Sequence, residues 1–229
     1  EKPLAMNVEE LQEIVSEYKN YKGLLMVGFN RRFSPISIKV KQEFVNTGEP
    51  LVMNFRVNAG FIPLNHWTQT EAGGGRIIGE ICHFIDLMQY FTDSFPVKVY
   101  ADCIDTINSK LKNEDNIIIN IKFSNGSVGT LTYMANGDKS MPKERFEISS
   151  GEKITVINDF KNCEIYKNNS LTKSNLSGKG HKQEVQSFLN AIKKGDPSSI
   201  SFKSICYTTL TTFKIIDSLN TGLPQEIIV

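Results

Sequence analysis

The 229-residue sequence has little of the chemistry that would suggest a metal site or a disulfide framework. It contains only three histidines and no H-E-x-x-H motif, so a metal site is not expected. The four cysteines, Cys82, Cys103, Cys163 and Cys206, form no C-x-x-C pair, which argues against a cysteine zinc site or a set of disulfides. These absences favour a reducing compartment, and we expect the protein in the cytoplasm.

Charge and hydropathy limit the kinds of binding partner that the chain can have. The 26 lysines and arginines nearly balance the 25 aspartates and glutamates, and the net charge of +1 gives no general field for nucleic acid or an anionic membrane. No apolar run approaches the roughly 18 residues that span a bilayer. With 40% hydrophobic residues the chain can bury one core, or a main domain plus a fragment of a second. The first residue is Glu1 instead of a methionine, so we expect a piece of a longer protein.

The first part of the chain has the pattern of an alternating α/β unit. A capping-box-like start at Asn7 predicts a helix, and the apolar run 24–29 predicts a strand buried in a parallel sheet. Pro35 suits the first turn of a second helix, which we expect to end near Asn46. Residues 1–46 are therefore predicted to be the tail of such a unit.

Predicted strands dominate the rest of the chain. Strands are expected near 51–58, 96–104, 116–123, 127–134, 143–149, 153–158 and 162–166, and helices near 73–91, 181–194 and 202–220. Residues 168–180, rich in Asn, Ser, Lys and Gly, are expected to form a mobile loop. The predicted fold class is α+β, a mostly antiparallel open sheet backed by helices and preceded by an α/β tail.

The helix that follows the triple glycine carries the most informative polar cluster. At about 100° per residue, Arg76, Glu80 and His83 fall on one face, opposite an apolar stripe. Asp86 lies at the border of that face. Glu80 and His83 are three residues apart and can touch, and a neighbouring carboxylate raises the basicity of a histidine. This geometry suits proton transfer with a substrate hydroxyl. The alternative is an ordinary solvated helix face.

Other polar residues are candidates for the functional site, and each also has an ordinary structural explanation. Lys2 could act as a general acid or base or as an electrostatic clamp, although a terminal lysine is usually inert. Arg31 and its neighbours follow the predicted buried strand, where open α/β sheets place ligand contacts, or they form a basic helix start. His66–Trp67 could stack on a sugar, or anchor its own loop. Lys139 and Lys143 could hold a phosphate, or be solvated turn lysines.

Three segments in series resemble the Gfo/Idh/MocA family of NAD(P)-dependent oxidoreductases. They are Glu1–Pro3, Val27–Phe33, and the triple glycine leading to Glu80–Asp86. The resemblance covers essentially the whole chain. It is strongest to the carboxyl-terminal half of two-part oxidoreductases associated with surface-polysaccharide genes, to which Asn58–Pro63 and Ala135–Lys139 are also similar.

This resemblance implies a reaction and a division into domains. Family members bind NAD or NADP on an amino-terminal Rossmann domain and pass hydride to or from a carbon of a sugar, sugar nucleotide or cyclitol. Residues 1–33 would then be the end of a Rossmann-type dinucleotide-binding domain, and 34–229 a substrate-binding and oligomerisation domain. A sugar-like small molecule, the missing Rossmann domain and other copies of the chain, joined through the sheet, are the implied partners.

The residues and the resemblance together define a predicted site. The predicted catalytic residues are Lys2, His83 and Glu80. Cofactor contacts are expected from Glu1, Lys2, Pro3, Asn30 and Arg32, and substrate contacts from Arg31, Asn58, His66, Trp67, Arg76, Asp86 and Lys139.

Two departures from the family pattern leave alternatives open. Gly79 stands where many members carry an aspartate, four residues before the histidine, and Glu80 could take over its role. The sequence also lacks the G-x-G-x-x-G phosphate-binding turn, so tight binding of NAD(P) by this chain is not expected. One alternative is a non-catalytic oligomerisation domain of a larger polysaccharide-biosynthesis enzyme. Another is a redox-independent sugar hydrolase or isomerase that uses Glu80 and His83.

Overall fold

A mixed open sheet forms one layer of the molecule in a computed structural model, which describes residues 1–45 and 47–228 and leaves the side chain of Glu71 undescribed. Within these residues the strands are β1 Val52–Asn58, β2 Pro96–Cys103, β3 Ile117–Phe123, β4 Val128–Met134, β5 Glu144–Ser150, β6 Lys153–Asn158, β7 Asn162–Lys167, β8 Ser170–Ser174 and β9 Gln225–Glu226. They lie in the order β8-β7-β6-β5-β1-β4-β3-β2-β9. Only β1 and β4 pair in parallel. The predicted α+β class with a mostly antiparallel sheet is confirmed.

Five α-helices accompany the sheet in the described part of the chain. They are α1 Val8–Tyr18, α2 Pro35–Phe44, α3 Cys82–Thr92, α4 His181–Lys194 and α5 Phe202–Thr221. The helix α2 ends at Phe44, and the predicted end near Asn46 lies outside the described residues. Among the described helices, none combines the length and the apolar character that a membrane crossing requires.

The core lies between the inner face of the sheet and the helices α3 and α5. Strand β3 shows why the sheet has two different faces, because its residues alternate strictly between buried and exposed positions. Phe55 of β1 stacks on Phe146 of β5 with 4.3 Å between ring centroids, and Phe84 of α3 meets Phe146 edge-on. All three rings are fully buried, so α3 is fixed against the middle of the sheet.

The apolar run 24–29 is not a strand, and that prediction was wrong. No described strand pairs with it. Instead Val27 and Phe29 are buried in a small apolar cluster with Cys82, Ile200 and Ile205. A continuous apolar run can be buried with or without strand geometry, and a strand additionally requires a neighbour for its backbone hydrogen bonds.

The predicted mobile loop 168–180 is also partly wrong, because it contains strand β8. Asn168 and Asn169 both have positive φ, 51° and 54°, a conformation that asparagine tolerates and that tight hairpin turns require. This turn folds Ser170–Ser174 back onto β7 as an edge strand. The following residues are held as well, since Ser34 Oγ donates to the carbonyl oxygen of Gly178 at 2.8 Å.

The helix after the triple glycine begins with a π-helical turn, Ile77–Ile81, that continues into α3. The predicted apolar stripe of this helix is confirmed as buried. The alternative of an ordinary solvated face does not hold, because Arg76, His83 and Asp86 are buried too.

Residues 1–33 pack onto the rest of the chain. Tyr18 of α1 stacks on Phe202 of α5 at 3.6 Å between ring centroids, and Leu11 belongs to the main core. The domain boundary near residue 33 stays a prediction.

Candidate functional site

The amino-terminal segment and the start of the α3 helix meet at one point. The Lys2 ammonium donates a hydrogen bond to the carbonyl oxygen of Gly79, 77 residues away in the sequence. Gly79 lies within the π-helical turn. Lys2 is thereby held one helical turn from His83.

Two cavities open on either side of this contact. The first, which we name the α4 cleft, has a volume of about 490 Å³. It is lined by Glu1, Lys2, Met26, Gly28, Asn30, His83, His181, Glu184, Val185, Phe188 and Leu189. The second, the glycine cleft, has a volume of about 370 Å³. It is lined by Lys2, Pro3, Met6, Arg31, Ile62, Trp67, Thr68, Ala72, Gly73, Gly75, Arg76, Gly79, Glu80 and His83. The two residues common to both linings are Lys2 and His83.

His83 is 8% exposed, and its ring lies nearly perpendicular to that of Phe29, with 6.0 Å between the ring centroids. Its Nδ1 atom is fully buried and has no hydrogen-bond partner among the described residues. Burial lowers the pKa of His83, the positive charges of Arg31 and Lys2 lower it further, and it falls to about 2. Glu80 does act to raise the pKa of His83, as predicted, but burial and the nearby cations outweigh that single favourable charge.

Glu80 is the centre of a separate polar cluster. Its Oε1 accepts from Lys143 at 2.6 Å, and its Oε2 accepts from Arg76 at 2.7 Å and from the hydroxyl of Tyr133. Burial acts to raise the pKa of Glu80, but the charge and hydrogen bond of Lys143, the Tyr133 hydroxyl and Arg76 together lower it to about 2. The carboxylate is thus ionised and occupied by three donors.

Glu80 makes no hydrogen bond to His83, so the predicted proton-transfer pair does not form. The reason lies in the backbone. Glu80 is in the π-helical turn, whereas the prediction assumed the angular spacing of a regular α-helix across both residues.

Arg31 reaches the wall of the glycine cleft through a second buried pair. Its Nη2 donates to Glu144 Oε1 at 2.8 Å, and Lys179 donates to the same oxygen at 3.0 Å. The guanidinium also lies over the ring of Phe84, 4.7 Å from its centroid. Because Glu144 is completely buried, this pair fixes Arg31 firmly.

Arg32 and Asp86 bind one another instead of lining a cleft. Arg32 donates from Nε at 2.9 Å and from Nη2 at 2.5 Å to the two carboxylate oxygens of Asp86, which is completely buried. Burial raises the pKa of Asp86, and Arg32 opposes that rise. The cofactor contact predicted for Arg32 and the substrate contact predicted for Asp86 are not supported, because each charge needs the other in this buried position.

Three more predicted substrate contacts lie outside the cleft linings. The amide of Asn58 donates to the carbonyl oxygens of Asp138 and Met141, and so holds the loop between β4 and β5. Lys139 is exposed on that loop. His66 accepts from the backbone of Thr68 and caps a short 3₁₀ turn. The structure therefore does not bring Asn58, Lys139 or His66 to either cavity.

The remaining predicted site residues do line one or both of the two clefts. Glu1, Lys2, Asn30 and His83 line the α4 cleft, while Lys2, Pro3, Arg31, Trp67, Arg76, Glu80 and His83 line the glycine cleft. Trp67 is largely exposed at the rim, so its ring is open to contact.

Several residues of the site were missed by the sequence reasoning. Lys143 was expected only as a phosphate-binding lysine, and no role was predicted for Tyr133, Glu144, Lys179 or His181. Lys143 is 63 residues from Glu80, and Glu144 is 113 residues from Arg31. No local spacing signals such contacts, because they depend on the order of the strands.

The fold is an α+β domain with two adjacent clefts that share Lys2 and His83. Residues 46–156 match the family model of the GFO/IDH/MocA C-terminal domain. This part of the chain is therefore similar to the carboxyl-terminal domain of that family, and the predicted resemblance is confirmed.

Known proteins similar to this chain are oxidoreductases. It is 26% identical over 136 residues to myo-inositol 2-dehydrogenase of Thermotoga maritima, an alignment that covers 57% of this chain and 40% of that protein. The chain spans less than half the length of the curated relatives it matches.

Solved structures show the same fold over nearly the whole chain. An NAD binding oxidoreductase from Klebsiella pneumoniae has a TM-score of 0.83 at 18% identity, covering 100% of this chain and 73% of that one. An oxidoreductase from Agrobacterium radiobacter, solved with NAD+, L-tartaric acid and magnesium, has a TM-score of 0.81 at 18% identity, covering 98% and 71%.

Proposed function

We propose that this chain is the substrate-binding part of a nicotinamide-dependent oxidoreductase that acts on a hydroxyl or carbonyl group of a sugar, sugar nucleotide or cyclitol. The observation that carries the proposal is that Lys2 and His83 line both adjacent cavities. A cofactor in one cavity and a substrate in the other would meet at these two side chains. The named activity of the myo-inositol 2-dehydrogenase relative supports the same class of substrate.

The α4 cleft fits a nicotinamide ring. Met26, Val185 and Leu189 give it apolar surface, while Asn30 and Glu1 supply polar groups, and binding sites for such cofactors commonly combine the two. Gly28 keeps the space open, because a Cβ atom there would come within 3.3 Å of Glu184 Oε1. We propose that Glu1, Lys2 and Asn30 hold the ring, which when bound accepts or returns a hydride. NAD and NADP are both compatible with these contacts.

The chain's own residues would handle the proton. Oxidation of a hydroxyl carbon releases a hydride and a proton, and the proton needs an acceptor within hydrogen-bond reach. His83 is held neutral, so its ring can accept a hydrogen bond and then the proton from the substrate hydroxyl. Lys2, anchored on the Gly79 carbonyl, would orient the same oxygen and stabilise negative charge on it.

The first experiment removes the proposed acceptor. In the intact oxidoreductase that carries this domain, His83→Ala should reduce hydride transfer at least about 100-fold, the usual contribution of a general base. Formation of NADH or NADPH is the measurement. Arg145→Gln is the control, since Arg145 lies exposed on the opposite side of the sheet. A rate for His83→Ala within about threefold of the parent rate would remove His83 from the mechanism.

Cofactor binding gives a second test. We propose that tight binding of NAD(P) needs a separate dinucleotide-binding domain, because the chain lacks the phosphate-binding glycine turn. Calorimetric titration of this chain with NADH and NADPH should show no micromolar binding. Micromolar binding by this chain alone would contradict the proposed division of labour.

Assembly through the sheet is a second candidate role. The register of the strands aligns Tyr166, Ile154, Val52 and Val128 in one row across β7, β6, β1 and β4, interrupted only by Ser149 of β5. These four apolar side chains are exposed on the face away from the helices. Such a row favours contact with another copy of the chain. The same surface supports the alternative of a non-catalytic oligomerisation domain.

The compartment and pathway remain proposals of the same kind. All four cysteines are free, which supports a reducing compartment such as the cytoplasm. Participation in polysaccharide biosynthesis stays a prediction from the resemblance.

A further inference from the structure

Positive charge is in excess around the glycine cleft. Its described lining contains three cationic side chains, Lys2, Arg31 and Arg76, and one carboxylate, Glu80. Glu80 does not balance them, because it is shared between Arg76 and Lys143. That group of three therefore retains one net positive charge.

A second group of charges beside the glycine cleft, centred on Glu144, also contains more cations than carboxylates. Glu144 is shared between Arg31 and Lys179, at 2.8 Å and 3.0 Å. Lys2 adds a further charge, because it donates to a neutral carbonyl and forms no ion pair with a described carboxylate. The wall thus contains five cations and two carboxylates. Asp115 lies near Arg76 and accepts a hydrogen bond from Gln69. Its carboxylate reduces the excess of positive charge without removing it, and burial raises the pKa of Asp115.

Several nitrogen atoms of these buried groups have no partner among the described residues. Arg31 uses only Nη2, which leaves Nε fully buried and unpaired and Nη1 without a hydrogen bond. The Nε atom of Arg76 and Nδ1 of His83 are also buried and unpaired. All three residues are more than nine-tenths buried. Buried positive charge without full compensation is costly, and a ligand of opposite charge would offset that cost.

We infer that the substrate of the glycine cleft is an anionic sugar derivative, one that carries a carboxylate or a phosphate group. This inference rests on the proposed function and narrows its substrate class. Arg31 and Lys2 would bind the anionic group, and Trp67 at the rim would pack against the sugar ring.

An anionic substrate also resolves a difficulty with His83. The charges of Arg31 and Lys2 act, after burial, to keep its pKa far below a working pH. A bound anion beside those two cations would compensate their charge and raise the pKa of His83. Glu80 acts in the same direction from the same helix, and His181 of α4 acts against it. The base would then become stronger when the substrate is present.

The experiment compares sugars that differ in charge. The chain, labelled with ¹⁵N, is titrated with D-glucose, D-glucuronate, D-glucose 6-phosphate and inorganic phosphate, and dissociation constants are obtained from NMR shifts. At least one anionic sugar should bind tenfold or more tightly than glucose. Preference for glucuronate identifies a carboxylate, and preference for glucose 6-phosphate identifies a phosphate.

Variants then show which residues cause the preference for an anionic sugar. Lys2→Gln and Arg31→Gln should each reduce the preference for the anionic sugar to less than threefold. Lys161→Gln is the matched control, because Lys161 is 73% exposed on the turn between β6 and β7 and lines neither cleft. Lys2→Gln keeps the inference testable if Arg31→Gln unfolds, since it removes no ion pair among the described residues. Thermal melting verifies that each variant is folded.

Each other outcome has a definite meaning. If glucose binds as tightly as both anionic sugars, the inference is overturned while the proposed function stands. If no sugar binds, the inference is overturned, whereas the proposed function depends on the separate effect of His83→Ala on hydride transfer. If inorganic phosphate binds as tightly as glucose 6-phosphate, the cleft is an anion site without a sugar contact, which overturns the inference.

Discussion

At the scale of single residues, His83 links function to stability through its protonation. Its pKa is lowered from about 6.5 to about 2, first by burial and then by Arg31 and Lys2. A histidine with a lowered pKa in the folded state takes up a proton more readily when the chain unfolds. Its contribution to stability is therefore complete above pH 6.5 and is lost as the pH falls from 6.5 towards 2.

This loss of stability at lower pH gives a prediction for His83→Gln. The variant lacks the buried imidazole, so its free energy of unfolding should fall less than that of the parent between pH 7 and pH 5. One proton accounts for about 1.4 kcal/mol per pH unit, so the difference should be about 2 kcal/mol. Urea unfolding at both pH values is the measurement, with His66→Gln, an exposed histidine, as the control. Equal losses in the parent and His83→Gln would show that His83 is not held neutral.

The same residue shows what the sequence can predict at this scale. The resemblance implied that His83 and Lys2 share one site, and both side chains line the same two clefts. No local spacing links the two residues, so this prediction depended on the family pattern. The charge state of His83 was not predictable, since Arg31 reaches it only through the fold. Asp86 was misassigned for a related reason: its partner Arg32 is 54 residues away in the sequence.

At the scale of elements, local patterns predicted the regular strands and missed the irregular segments. Strict alternation made β3 visible in the sequence. Strand β8 was invisible because it is short, polar and almost entirely exposed, so no apolar period marks it. The π-helical turn was missed because Ile77, Ile78 and Ile81 fit the apolar stripe of a regular α-helix, so nothing in the apolar pattern marks the turn.

The segment before α4 carries the element-scale prediction. Gly180 has φ +89°, and a Cβ atom there would lie 2.2 Å from the Asn30 oxygen and 2.6 Å from the Ser34 nitrogen. Gly180→Ala should therefore push α4 and Lys179 away from residues 30–34, in addition to the cost of the left-handed backbone.

The matched control is Gly195→Ala, at the other end of α4. Gly195 has φ +71°, and no atom lies within 4 Å of the position that a Cβ atom would take, so it bears only the backbone cost. We expect Gly180→Ala to lower the free energy of unfolding by at least about 2 kcal/mol more than Gly195→Ala. Urea unfolding measures both. Similar losses would show that the close approach to residues 30–34 is not required for stability.

At the scale of the whole molecule, the helices leave one face of the sheet uncovered. A sheet buried on one side only is expected to alternate apolar and polar residues, and the outer face of this one still carries the exposed row that contains Val52 and Ile154. Apolar side chains aligned across several strands can be covered together by one partner surface. A second copy of the same sheet is the simplest such partner, because identical rows can meet about a twofold axis.

The last prediction tests that assembly. The double variant Val52→Lys with Ile154→Lys places two charges in the middle of the row, where contact with another copy would bury them at a high cost. Sedimentation should show a defined oligomer for the parent chain and a monomer for the variant, with thermal stability retained because both side chains are exposed, 59% and 46%. Val45→Lys is the control, since Val45 is 63% exposed at the end of α2. A monomeric parent, or an oligomer that survives both charges, would exclude the sheet as the interface and would leave the row without a role in assembly.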